Sequence, residues 1–119
     1  MKNLLLSLVM LFSITIQSHE LSDKLRGAWS SDQTSYYVVI LHNEQKGYEV
    51  VNFSFAENQT LKETVVEEGE NYIKTRLYNK TNNFETHVTY TFIDGELHCK
   101  FEGKSNHSSV YKRYWLMTN

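Results

Sequence analysis

Residues 84–101, FETHVTYTFIDGELHCKF, leave the least freedom of any stretch in the chain. Two runs of alternating apolar and polar side chains flank Asp94-Gly95, a dipeptide suited to a type I′ turn. Folding about that turn sets one register. Phe92 faces Leu97, Tyr90 faces Cys99 and Val88 faces Phe101, all apolar pairs. On the other face Thr91 meets His98, Thr89 meets Lys100 and His87 meets Glu102. A slip of one residue would send every apolar side chain to water, so the hairpin decides inside and outside for its neighbours.

Before the first strand, the chain opens with a short positive start, Met1-Lys2-Asn3. An apolar run over residues 4–16 follows, and Ser18 is a small residue at a plausible cleavage point. This pattern predicts a secretory signal peptide over residues 1–18 and an extracytoplasmic protein, periplasmic or secreted. As a helix the run is only about 20 Å long, short of the ~30 Å hydrocarbon core, so no membrane span is expected after cleavage. Residues 19–119 then form a single domain with a modest core. Cys99 is the only cysteine, so no internal disulfide supports it. The formal net charge of −2 speaks against a nucleic-acid partner. The chain has no Pro, and its eight Tyr, six Phe and many Val and Thr favour strands.

Residues 19–26, HELSDKLR, are the one helix candidate: Ser22 suits a cap, and Leu21 and Leu25 share a side. Strands are then expected from Gly27, over 36–41, 48–56, 60–67 and 72–78, through the two arms of the hairpin, and over 110–117. Short strands on short connections predict an all-β meander, either a closed barrel or a sandwich. Carrying the register outward pairs Leu77 with Phe84, Thr75 with Thr86 and Ile73 with Val88. Three-residue turns at 68–70 and 57–59 then set Glu63 opposite Thr75 and Phe53, and Leu61 opposite Leu77 and Phe55. The inward set so derived includes Phe53, Phe55, Glu63, Thr75, Phe84 and Thr86.

Five His raise the question of a metal site. His87 and His98 share an outer face but stand four strand positions apart, roughly 13 Å, too far for one ion. His42 and His107 are expected in loops at opposite ends, so no metal and no cofactor are expected. Cys99 faces inward as a small apolar filler, with no His beside it to activate it. Asn52, Asn58, Asn79 and Asn106 each begin an Asn-x-Ser/Thr sequon, which matters only in a eukaryotic secretory pathway. Among motifs for catalysis the chain carries no Gly-x-Ser-x-Gly, P-loop, His-Glu-x-x-His or dinucleotide fingerprint, and no enzymatic activity is expected. Glu63 is the sharpest candidate, because a buried carboxylate is costly unless it is hydrogen-bonded or paired. Asn-rich loops, 79–83 and 104–109, fall at the same end as Asn58-Gln59 and residues 32–34.

Leu25-Arg26-Gly27-Ala28-Trp29, entering the first strand of a meander, resembles the calycin superfamily of lipocalins, fatty-acid-binding proteins and avidins. Members of that group open with Gly-x-Trp, here Gly27 and Trp29. A basic residue near the end of their last strand packs over the Trp and closes the barrel floor, and Arg113 is the matching position. The resemblance implies an eight-stranded antiparallel up-and-down barrel with one short N-terminal helical turn after the signal peptide. It also implies non-catalytic binding of a small, partly apolar ligand in the interior, lined by Phe53, Phe55, Thr75, Phe84 and Thr86 around Glu63, with Tyr37 nearby. The alternative is a cell-envelope protein-binding module, an inhibitor or immunity-type factor, with a filled core and a working surface of loops or exposed tyrosines.

Overall fold

The computed structural model describes residues 21–103 and 106–115. Its strands run in chain order: β1 (Gly27–Ser30), β2 (Tyr37–Asn43), β3 (Gly47–Ser54), β4 (Gln59–Glu68), β5 (Tyr72–Asn79), β6 (Phe84–Ile93), β7 (Glu96–Gly103) and β8 (His107–Trp115). Each pairs antiparallel with the next, and β8 returns to β1, so the sheet closes on itself and leaves no open edge. This is the expected all-β barrel, preceded by the expected helical turn at residues 21–25. The expected signal peptide, residues 1–18, and the expected strand end at Met117 lie outside the described residues. Two histidines expected in loops are in strands, His42 in β2 and His107 at the start of β8. His107 pairs with Phe101, and the two rings stack with centroids 4.4 Å apart, which carries the ladder further than the polar sequence suggests.

The β6–β7 register is the one that Asp94-Gly95 dictates, with Phe92 on Leu97, Tyr90 on Cys99 and Val88 on Phe101. Asp94 and Gly95 take φ of 50° and 81°, the positive pair a type I′ turn requires. The other registers shift because their turns differ in length from those expected. Between β5 and β6, Asn79 pairs with Phe84 and Leu77 with Thr86. Asparagine side chains build that turn: Thr81 N–H donates to Asn79 Oδ1 and Phe84 N–H to Asn82 Oδ1, each at 3.0 Å, while Asn83 takes φ 57°. The shift is even, so faces are kept.

Parity decides the next two strands. Glu68 pairs with Ile73, an odd step from the expected register, but a bulge between Val65 and Glu67 absorbs one residue. Val65 therefore meets Thr75, and Glu63 stays on the inner face at 3% exposure. Between β3 and β4 nothing absorbs the odd step. Ser54 pairs with Gln59 and Val50 with Glu63. The turn is set by Glu57 N–H donating to Ser54 Oγ at 3.2 Å and by Asn58 at φ 49°. The whole of β3 is reversed relative to expectation. Val50, Asn52 and Ser54 face in, while Phe53 faces out and Phe55 lies in the turn, 80% exposed. The inward placement of Phe53 and Phe55 is corrected accordingly.

The core fills the end of the barrel nearest the helix. Leu25, Trp29, Val38, Ile40, Val50, Ile73, Val88, Tyr90 and Leu97 have no exposed surface. Each such side chain contributes about 1.5–3 kcal/mol by leaving water. The outer faces of β4–β7 carry Lys62, Lys74, Arg76, Glu85, His87, Lys100 and Glu102, and no helix among the described residues is long and apolar enough to cross a membrane. Where β7 crosses β6, Gly103 faces Thr86 so closely that a Cβ would stand 2.9 Å from Glu85 O and 3.0 Å from Thr86 Cα. Backbone cannot yield as a side chain does, so Gly103→Ala is expected to destabilise the barrel by about 1–3 kcal/mol in a urea melt. An unchanged midpoint would show that the strands separate at no cost there.

Candidate ligand cavity and the carboxylate beneath it

Three levels divide the interior. At the closed end the Trp29 indole donates from Nε1 to Leu25 O at 2.9 Å. Arg113 lies over its face, with the guanidinium carbon 4.3 Å from the ring centroid. The same guanidinium donates to Arg26 O at 2.5 Å and Lys24 O at 2.6 Å. One side chain thus caps the last carbonyls of the helix and covers the indole, which ties the helix to the barrel floor.

Glu63 sits at the middle level. Thr75 Oγ1 donates to its Oε1 at 2.6 Å, and the Tyr90 hydroxyl lies 2.7 and 2.9 Å from its two oxygens. The Asn52 side chain is also close enough to favour the charged form of the carboxylate. Burial raises the Glu63 pKa, these three groups lower it, and burial prevails. Burial, reinforced by the neighbouring carboxylate, also pushes Tyr90 and Cys99 well above their usual values. Both therefore stay protonated, so Tyr90 remains a donor and Cys99 an inert thiol.

The third level is a cavity of about 460 Å³ bounded by the β1–β2, β3–β4 and β5–β6 connections and by β7 and the start of β8. Leu61, Leu77, Phe84, Phe101 and Tyr111 supply apolar wall, and Asn52, Gln59, Asn79, Thr86 and Ser109 supply polar groups. Thr34, Tyr36, Glu57, Asn82 and His107 complete the lining. Tyr36 O–H donates to the Glu57 carboxylate and lies 3.0 Å from Gln59 Oε1. Burial first, then Glu57, pushes the Tyr36 pKa up to about 12. Residues from the Asn-rich connections thus do meet at one end.

Of the residues singled out from sequence, Phe84 and Thr86 line this cavity, and Glu63 and Thr75 lie beneath it. Phe53 and Phe55 are outside, where they join Tyr37 and Tyr114. Tyr37 stacks on Phe53 at 5.3 Å and meets Phe55 and Tyr114 edge-on at 5.9 and 5.5 Å. The residue that sequence reasoning missed is Asn52. It lines the cavity, lies beside Glu63 and is 4% exposed, and its buried Oδ1 accepts no hydrogen bond from any described group. Its signal was the even-length β3–β4 turn, which alone turns it inward. Among the described residues no group of three or more His, Cys, Asp or Glu is placed to hold a metal ion. Compared with protein-family models, with curated proteins and with solved structures, the chain matches none.

Proposed function

We propose that this barrel binds a small, partly apolar ligand, without catalysis, in the cavity at its Asn-rich end. The observation that carries the reading is the division of the interior into a packed floor and an open cavity of about 460 Å³. That volume falls within the range of about 300–1,000 Å³ usual for small-molecule sites, and its mixture of apolar wall and a few buried polar atoms is what such sites share. The Gly27-x-Trp29 entry with Arg113 over the indole supports kinship with the calycins, which hold ligands at this end of the barrel. Export, resting on residues 1–18, would place the protein where it meets ligands outside the cytoplasm.

A second reading draws on a different feature. The outer rings of Tyr37, Phe53, Phe55 and Tyr114 form an exposed aromatic patch, the kind of surface that a protein-binding module of the envelope would use. It ranks second because such a module was expected to have a filled interior.

Titration with N-phenyl-1-naphthylamine, a neutral probe that fluoresces in apolar sites, separates the two. Wild type should bind saturably, and Leu61→Trp, which grows into the cavity, should weaken binding about tenfold or more while leaving the fold intact. Phe55→Ser should leave probe binding unchanged. Loss of binding in Phe55→Ser but not in Leu61→Trp would move the site to the outer patch.

A further inference from the structure

The β5–β6 turn spends its asparagine oxygens on its own backbone, and that decides what it offers to the cavity. On the ligand-binding reading, we infer that the cavity selects a small amphiphile whose polar end is an uncharged oxygen acceptor, a ketone, ester or amide, and that Asn79 is the donor that meets it. Asn79 lines the cavity and is 7% exposed. Thr81 N–H donates to its Oδ1 at 3.0 Å. A primary amide carries its acceptor oxygen and its two donor hydrogens on separate branches, so engaging the oxygen fixes the nitrogen on the side away from the turn. No described group accepts from Asn79 Nδ2. Nor is it one of the described polar atoms that are fully buried without a partner, which are Arg26 Nε and Asn52 Oδ1. The nitrogen therefore keeps accessible surface, and for a residue so buried the space within its reach is the cavity.

Solvent can serve this donor in the free protein. A ligand that fills the cavity takes the place of solvent, and the N–H then goes unpaired unless the ligand brings an acceptor. The neighbouring asparagine follows the same rule. Phe84 N–H donates to Asn82 Oδ1 at 3.0 Å, so Asn82, exposed beside the cavity, also turns its nitrogen away from the turn.

Charge narrows the class further. Among the described residues that line the cavity none is Lys or Arg, and the only carboxylate, Glu57, takes the Tyr36 O–H. Below the cavity lies Glu63. A ligand carboxylate would leave water with no cation to pair with, which is costly. An ammonium end would set its hydrogens against those of Asn79. An uncharged carbonyl oxygen meets the N–H and is cheaper to desolvate than either ion, while Leu61, Leu77, Phe84 and Phe101 take the apolar body.

Asn79→Asp isolates the donor. The aspartate keeps an oxygen for Thr81 N–H and nearly the same shape, and puts a second oxygen where the NH2 group stood. Damage to the turn would weaken all ligands alike, whereas loss of the donor singles out those that carry an acceptor.

The test uses fluorophores on one ring system: 6-propionyl-2-(dimethylamino)naphthalene, a ketone; 6-propyl-2-(dimethylamino)naphthalene, its hydrocarbon counterpart; and 6-(dimethylamino)-2-naphthoate, a carboxylate. Wild type should bind the ketone about tenfold or more tightly than the carboxylate. From wild type to Asn79→Asp the ratio of ketone to hydrocarbon affinity should fall about tenfold or more, a comparison in which the different cost of desolvating the two probes cancels. Carboxylate binding as tight as that of the ketone to wild type overturns this inference and leaves ligand binding in place. An unchanged ratio in Asn79→Asp overturns Asn79 as the donor. No saturable binding of any probe to wild type overturns the ligand-binding reading itself, and this inference with it.

Discussion

Trp29→Ala is expected to remove about 3–5 kcal/mol of folding free energy, the usual cost of truncating a fully buried aromatic. For a domain of about 100 residues that corresponds to about 4–8 °C of melting temperature per kcal/mol, enough to threaten folding at all. The size follows from what the indole holds together. It is completely buried, its Nε1 satisfies Leu25 O, its face receives Arg113, and its edge meets Phe92 at 6.3 Å. Once it is gone, Arg113 keeps its two carbonyl partners, Arg26 O and Lys24 O, but stands over a cavity. Trp29→Phe should lose less, because most of the buried area remains and only the hydrogen bond and part of the cation–π contact go. Arg113→Met keeps the packing volume while removing two charge-assisted hydrogen bonds, and should cost about 1.5–3 kcal/mol. If the floor works as a unit, Trp29→Phe and Arg113→Met together will cost less than the sum of the two, as expected for neighbours that share an interaction. Strict additivity in urea melts would mean that indole and guanidinium merely lie side by side. A loss below about 1 kcal/mol for Trp29→Ala would mean that the closed end adds nothing to the strand ladder.

How much of this was legible beforehand turns on parity rather than on composition. The Asp94-Gly95 hairpin could be placed residue by residue because a two-residue type I′ turn admits one register. Strand number and the order of neighbours followed from short connections. The faces of β3 could not be read because its pattern is ambiguous: Val50 and Val51 are adjacent, and Phe53 and Phe55 share the alternation of Val51. Apolar residues on both faces make either orientation acceptable locally. What decides it is one extra turn residue, stabilised by Ser54 Oγ and by the positive φ of Asn58. Glu63 faces inward despite a comparable error, because the bulge at Val66 corrects the odd step. A bulge has no reliable sequence signature, so correct facing for Glu63 rested on a wrong register: Val50, not Phe53, stands opposite it, and Thr75, which pairs with Val65, still reaches it through its hydroxyl. The outer rings of Phe53 and Tyr37, half-buried, and of Phe55 and Tyr114, exposed, explain the cost of the mistake. They pack on one another outside the barrel, which partly shields a face that an apolar pattern would assign to the core. The floor residues Gly27, Trp29 and Arg113 were picked out by the resemblance to calycins, and the return of the last strand to the first pairs Trp29 with Arg113.

Stability should fall with rising pH at Glu63, the reverse of the usual behaviour of a carboxylate in an ion pair. Its folded pKa is raised above the ordinary carboxyl value of 4.5, with burial as the main cause. In acid, below that ordinary value, the group is protonated in both the folded and the unfolded chain, and its contribution is at its most favourable. As pH rises toward the folded pKa, the unfolded chain releases its proton first while the folded chain retains it. Folding stability then declines by about 1.4 kcal/mol for each pH unit inside that window, and levels off once the folded group has ionised too. Glu63→Gln cannot ionise. The difference in stability between Glu63→Gln and wild type should therefore be smallest in acid, grow through the window in favour of Gln, and become constant above it. Glu85 contributes the opposite slope in acid, because Arg76 holds its carboxyl low. It is present in both proteins and cancels in the difference. Tyr90→Phe supplies the complementary check. It removes a donor that lies within hydrogen-bonding distance of both Glu63 oxygens, so the carboxylate loses support that the protonated acid needs less. This variant should lose about 1.5–3 kcal/mol at neutral pH and less in acid. Parallel stability curves for wild type, Glu63→Gln and Tyr90→Phe across pH 4 to 9 would place the carboxylate in water and dismantle the middle level of the barrel. Convergence in acid with divergence above would fix Glu63 as the buried acid held by Thr75 and Tyr90 beneath the cavity.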